Sequence, residues 1–102
     1  METVKKFDSL LSAGKYEEAS GMLCDDFSWT GPNKSLDKAA WLGEVGKLAK
    51  DAPTFEAFEP GTSDLQVTRK GKKKVAMMTV KLVQAFETTE DGKIKSINTA
   101  RV

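Results

Sequence analysis

The sequence predicts an α+β fold in which helices come first and a mostly antiparallel sheet comes last. Three features predict it. Val4, Phe7, Leu10 and Leu11 make an apolar stripe at helical spacing near the start. Val75 to Phe86 is the longest β-prone run, with three Val, Thr79 and Phe86, and free of Pro and Gly. Turn chemistry on both sides of that run implies a three-strand meander from Ser63 to Val102. The order reads α-α-β-α-β-β-β-β, and 102 residues suit one domain spanning 1–102.

Gly14 interrupts the first helical stripe, and Gly is costly inside a helix but favourable just past its end. Two short helices meeting at Ser12 to Gly14 are therefore expected. The second turns Tyr16, Ala19, Met22 and Leu23 inward and Lys15, Glu17 and Glu18 outward. Asp25 to Gly31 alternates, with Phe27 and Trp29 on one side of a strand and Asp26, Ser28 and Thr30 on the other.

Gly31-Pro-Asn-Lys34 is a turn, after which Ser35 or Asp37 caps a helix running to about Lys50. Its stripe is Ala40, Trp41, Val45 and Leu48, and Pro53 stops it. Thr54 to Glu59 reads as a strand with Phe55, Ala57 and Glu59 on one side and Glu56 and Phe58 on the other. Leu65 and Val67 begin the meander, whose first turn is placed at Arg69-Lys-Gly-Lys72 and second at Thr89 to Lys93.

The second turn allows two registers. A two-residue Asp-Gly loop sets Phe86 opposite Ile97 and Leu82 opposite Arg101. A three-residue loop with Gly92 as the bulge sets Glu87 opposite Lys95 and Lys81 opposite Arg101. The first pairs an aromatic with an aliphatic side chain, whereas the second makes one ion pair but faces two cations together. The first is preferred.

Net charge is +1, but the halves differ. Residues 1–64 hold seven lysines and twelve acids, whereas residues 65–102 hold nine cations and three acids. The favoured reading is that acidic helices cover a basic sheet; the other is a partner-facing surface. With no His there is no His-based zinc site, Ser-His-Asp triad or His general base. Cys24, the single cysteine, excludes an intramolecular disulfide, and its acidic neighbours favour an inert thiol. No cofactor and no metal are expected. The N-terminal residues lack the apolar region of a secretory signal and no apolar run nears the ~18–20 residues of a membrane span. A cytoplasmic protein is the expectation.

The ordered set of elements resembles the NTF2-like superfamily, in its SnoaL-like branch. A helical hairpin runs into Leu23-Cys-Asp-Asp-Phe-Ser-Trp29, similar to the family's leucine, acidic pair and aromatic at the entry to the first strand. A helix such as Leu36-Asp-Lys-Ala-Ala-Trp-Leu42 with a following proline comes next, and Glu90-Asp-Gly-Lys-Ile94 is similar to the family's final hairpin. The resemblance implies a curved sheet wrapped around helices into an NTF2-like (cystatin-like) cone with a pocket between them. It also implies a homodimer through the outer sheet face. The family holds enzymes, transport factors and association domains, so the fold alone does not assign an activity.

Within such a cone, Tyr16, Trp29, Trp41, Phe55 and Phe58 are the candidate lining of a pocket for a small apolar ligand, unless they simply fill the core. Asp25 and Asp26 lie near the rim that the resemblance implies. Asp26 is the weak candidate for a proton shuttle in an isomerase or cyclase, against the plainer reading of a solvated pair. Asp64 reads as a turn residue, and Lys81 as an outward charge on the central strand. Arg69, Lys70, Lys72, Lys73 and Lys74 form a basic hairpin tip that either docks an acidic partner or keeps the tip soluble. With no interleaved aromatic, nucleic acid is not an expected partner. No recognisable catalytic set is present, so binding or protein association as a homodimer is the leading expectation.

Overall fold

The computed structural model describes residues 1–102. Ten elements follow one another: α1 (Glu2–Ser12), α2 (Tyr16–Ser20), β1 (Leu23–Thr30), β2 (Ser35–Asp37), α3 (Lys38–Lys50), β3 (Thr54–Phe55), β4 (Glu59–Pro60), β5 (Gln66–Val75), β6 (Met78–Thr88) and β7 (Ile94–Arg101). One curved mixed sheet runs β2-β1-β7-β6-β5-β3, with β4 also along β5. Only β1 and β7 are parallel; the remaining neighbours are antiparallel.

The helix break falls where the sequence put it: α1 ends at Ser12, and Gly14 takes φ +75°, a conformation that costs a side-chain-bearing residue. Asp37 caps α3, its carboxylate accepting from the Ala40 amide at 2.8 Å. Val4 and Phe7 from α1 and Trp41 and Val45 from α3 are buried against Phe27, Phe86, Ile94 and Ile97 of the sheet. Each such side chain contributes about 1.5–3 kcal/mol on burial. The rings form a connected line: Phe27 to Trp41 at 6.0 Å, Trp41 to Phe7 at 5.8 Å, Phe7 to Phe86 at 6.5 Å and Phe86 to Phe58 at 5.7 Å. Ala40 is exposed and does not join this stripe.

Four sequence expectations change. The first meander turn is not at Arg69–Lys72. Those residues lie inside β5, and the hairpin turns at Ala76-Met77, with Val75 opposite Met78 and Ala76 at φ +56°. Gly71 mimics a turn glycine but serves close packing: a Cβ there would lie 2.7 Å from Cδ1 of Phe55. Second, the edge strand is bulged. Phe55 pairs with Gly71 and Glu59 with Thr68, so three edge residues, Glu56 to Phe58, face two on β5. The extra residue brings Phe55 and Phe58 to the same face, which plain alternation had separated.

Third, the register of β6 with β7 is the preferred one, Phe86 opposite Ile97 and Leu82 opposite Arg101, yet the loop is the other alternative. Thr89 N–H donates to Lys93 C=O at 2.8 Å across the three residues Glu90, Asp91 and Gly92. One extra residue on β7, Lys95, restores the register, because Thr88 faces Ile94 while Glu87 faces Ser96. Fourth, the acidic helices do not blanket the basic sheet. One ion pair, Arg69 with Asp8, joins the two halves, while Lys70, Lys72, Lys74 and Lys81 stay exposed.

Gly71→Ala is expected to lower stability by about 1–3 kcal/mol, because its methyl displaces the Phe55 ring. Urea unfolding of the variant measures this, and unchanged stability would show that the ring relaxes freely.

Candidate functional site

Alternation on β5, β6 and β7 decides what the inner face presents to α1 and α3. The pairing Val67–Phe86–Ile97 gives an apolar row. One step along the strands, Arg69–Gln84–Thr99 gives a polar row. Beyond it stand Gly71–Leu82–Arg101 and then Lys73–Val80. A cavity of about 860 Å³ lies over these rows and is partly open to solvent; Lys73 and Val80 are half-buried and Arg101 is exposed, whereas Phe86 and Ile97 are buried. Phe7, Leu11, Trp41, Val45 and Leu48 close its helical side, and Trp29 and Phe55 its flanks.

The polar row is joined side chain to side chain. Arg69 Nε donates to Gln84 Oε1 at 2.8 Å, and Gln84 Nε2 donates to Thr99 Oγ1 at 3.0 Å. From α1, Asp8 accepts from Arg69 Nη1 at 3.1 Å. Gln84 and Thr99 are both buried, and no buried side-chain nitrogen or oxygen is left without a partner. The guanidinium also lies 3.8 Å from the Phe55 ring centre, 4.7 Å from that of Phe58 and 5.5 Å from that of Phe86. Its side chain is 11% exposed. Its Nη2 group makes no hydrogen bond within the protein.

Burial pushes the Arg69 pKa below the ordinary arginine value, and the charge and hydrogen bond of Asp8 pull it partly back. The sign follows directly. A lowered basic pKa means that the folded state holds this proton less firmly than the unfolded chain does. The resulting cost to folding is constant at neutral pH and fades only as pH rises through the folded-state value. Stability around pH 5–8 therefore owes no slope to Arg69, which stays cationic throughout.

Among the expected lining residues, Trp29, Trp41 and Phe55 border the cavity. Phe58 packs on the core and flanks the guanidinium, and Tyr16 packs on the core away from the cavity. Asp25 and Asp26 are exposed and do not reach it; the carboxylates that border it are Asp8, on α1, and Asp51, just past α3. The basic run divides by alternation. Arg69 and Lys73 face the cavity, while Lys70, Lys72 and Lys74 point outward. No group of three or more His, Cys, Asp or Glu side chains forms a metal site. No helix is long and apolar enough to cross a membrane.

No protein-family model matches the chain, and no curated protein sequence matches it. Solved structures do. An NTF2-like protein of unknown function from Cytophaga hutchinsonii superposes at a TM-score of 0.76 with 14% identity, covering 98% of this chain and 87% of that one. A steroid delta-isomerase from Pseudomonas aeruginosa gives 0.78 with 11% identity over 99% and 77%. The epoxide hydrolase/cyclase-like enzyme SalBIII gives 0.74 with 16% identity over 99% and 88%. The chain has the NTF2-like fold: a cone of helices against a curved mixed sheet.

A double-mutant cycle on Asp8→Ala and Arg69→Met is expected to return a coupling of about 1–2 kcal/mol, the scale of a charge-assisted hydrogen bond discounted for the half-exposed Asp8 carboxylate. Additive losses by denaturant unfolding would show that the pair is not a working contact.

Proposed function

We propose that this protein binds a small, largely apolar molecule inside the cone. The cavity carries the reading: about 860 Å³, walled by aromatic and aliphatic side chains and crossed by one hydrogen-bonded polar row. That combination of apolar area with a few fixed polar groups suits a ligand that is greasy along most of its length. A steroid delta-isomerase among the structural neighbours supports the view that such a cone admits a bulky apolar body. An isomerase or cyclase mechanism would need an interior carboxylate free to move protons. Of the two carboxylates that border the cavity, Asp8 is engaged by Arg69 and Asp51 is exposed at the end of α3, so binding is preferred over catalysis.

We also propose a homodimer through the outer sheet face. Val83, Ala85, Ala100, Thr68 and Asn98 share that face over three adjacent strands and present small side chains. The cations Lys70, Lys72, Lys74 and Lys81 gather at one end of it, with Glu87 at the other. A two-fold axis across the strands would lay the basic end of one copy over the acidic end of its mate. On this reading the outward lysines serve self-association before any foreign partner.

Two outcomes are expected. The neutral fluorophore N-phenyl-1-naphthylamine should bind with enhanced emission, and Val80→Trp on the cavity wall should abolish the enhancement without unfolding the protein. A folded wild type that leaves the probe dark would overturn the cavity reading. Sedimentation equilibrium should give a dimer that Val83→Lys converts to monomer; a wild-type monomer at high concentration would remove the dimer.

A further inference from the structure

Seven charged side chains border the cavity: Lys34, Lys47, Arg69, Lys73 and Arg101 against Asp8 and Asp51. Their partners sort them. Lys34 pairs with Glu44 at 2.6 Å, and Arg69 pairs with Asp8 at 3.1 Å. Lys47 and Asp51 lie one helical turn apart at the end of α3, on the helix side of the cavity, and do not form an ion pair. On the sheet side stand Lys73 and Arg101, and neither has a carboxylate within ion-pairing distance. Arg101 is two residues beyond Thr99 on β7, and Lys73 is four beyond Arg69 on β5, roughly 13 Å along the strand. The two cations stand on the open side of the polar row, and the aromatic core lies on its other side.

Resting on the small-ligand reading above, we propose that the ligand is an amphipathic monocarboxylate that enters tail first. Its hydrocarbon or ring body lies against Trp29, Leu48 and Phe55, and its carboxylate is held at the mouth by Lys73 and Arg101. Charge balance decides the orientation. Arg69 is already neutralised from within by Asp8, so an anion gains more at the unpaired pair of cations than deeper in the cone. Midway along, the free Nη2 of Arg69 and the hydroxyl of Thr99 offer donors to a neutral oxygen, a ketone or hydroxyl on the ligand body. The outward lysines of the same strand, Lys70, Lys72 and Lys74, take no part, because alternation directs them to the other face.

The test compares decanoate with 1-decanol, which share a chain and differ in charge, as displacers of N-phenyl-1-naphthylamine at pH 7. Decanoate is expected to displace the probe at about tenfold lower concentration than decanol, the scale of one net charge-assisted hydrogen bond. The double variant Lys73→Gln/Arg101→Gln should bring the two displacers level, the decanoate-to-decanol ratio being taken within the same protein. The control Lys72→Gln/Lys74→Gln removes the same charge from the outer face and should keep the tenfold preference. Equal potency in the wild type, with the probe bound, would overturn the carboxylate and leave the cavity reading intact. Loss of preference in the outer-face control would show a general field rather than a site and would also overturn it. Binding of neither probe nor decanoate would remove both readings together.

Discussion

A single buried guanidinium holds the two layers of the cone in register. Arg69 leaves β5 inward, bonds across to Gln84 on β6 and reaches Asp8 on α1, with three aromatic rings around it. Desolvating a cation costs several kcal/mol. Cation–π contacts return about 0.5–2 kcal/mol each when they are desolvated, and charge-assisted hydrogen bonds about 1.5–3. The lowered pKa shows that burial outweighs the help of Asp8. Several local features exist only around this group. The bulge between β3 and β4 brings Phe55 and Phe58 to one face, and Gly71 lets the Phe55 ring lie flat beside the strand. Without Arg69, neither the bulge nor the bare glycine would have an evident packing role.

Parts of this arrangement are legible in the chain. The helix break at Gly14, the Asp37 cap and the facing of Phe86 with Ile97 follow from local rules, because each is decided by a few adjacent residues or one cross-strand pair. The two-residue turn at Ala76-Met77 is not legible, since Ala carries no preference for positive φ, whereas Gly71 among lysines imitates a turn well. Nor is the bulge: one extra edge residue reverses the facing of Phe58, and only a third body, the guanidinium, selects that arrangement. The three-residue loop closed by a second bulge at Lys95 is the same lesson at the other hairpin. Local rules choose a loop and core packing chooses a register, and a bulge reconciles them.

The candidate site left signals that went unread. Asp8 falls on the same helical face as Val4 and Leu11, an acid inside an apolar stripe. Gln84 stands between Leu82 and Phe86 at the inward phase of β6, and Thr99 follows Ile97 at the inward phase of β7. Polar residues at positions patterned for burial require partners inside the protein. An in-phase Asp, Arg, Gln and Thr therefore already imply one interior network, though not its geometry. Asp25 and Asp26 are adjacent in sequence but exposed, and adjacency on a strand is no guide to what a cavity contains.

The aromatic residues divide between two roles rather than choosing one. Phe7, Phe27, Trp41 and Phe86 form the packed core, while Trp29 and Phe55 remain half-exposed as walls. A domain of 102 residues has little core to spare, and closing the cone over its cavity would bury further apolar area. Two features oppose closure. The Arg69–Gln84–Thr99 row is satisfied only while its members stay aligned across three strands, so collapse would break hydrogen bonds that have no substitutes. Past that row, closing the mouth would drag Lys73 and Arg101 into an apolar interior with no carboxylate to meet them. The cations Lys73 and Arg101, without ion-pair partners, therefore hold the cone apart at this end. Their hydration opposes any collapse of the mouth onto the core.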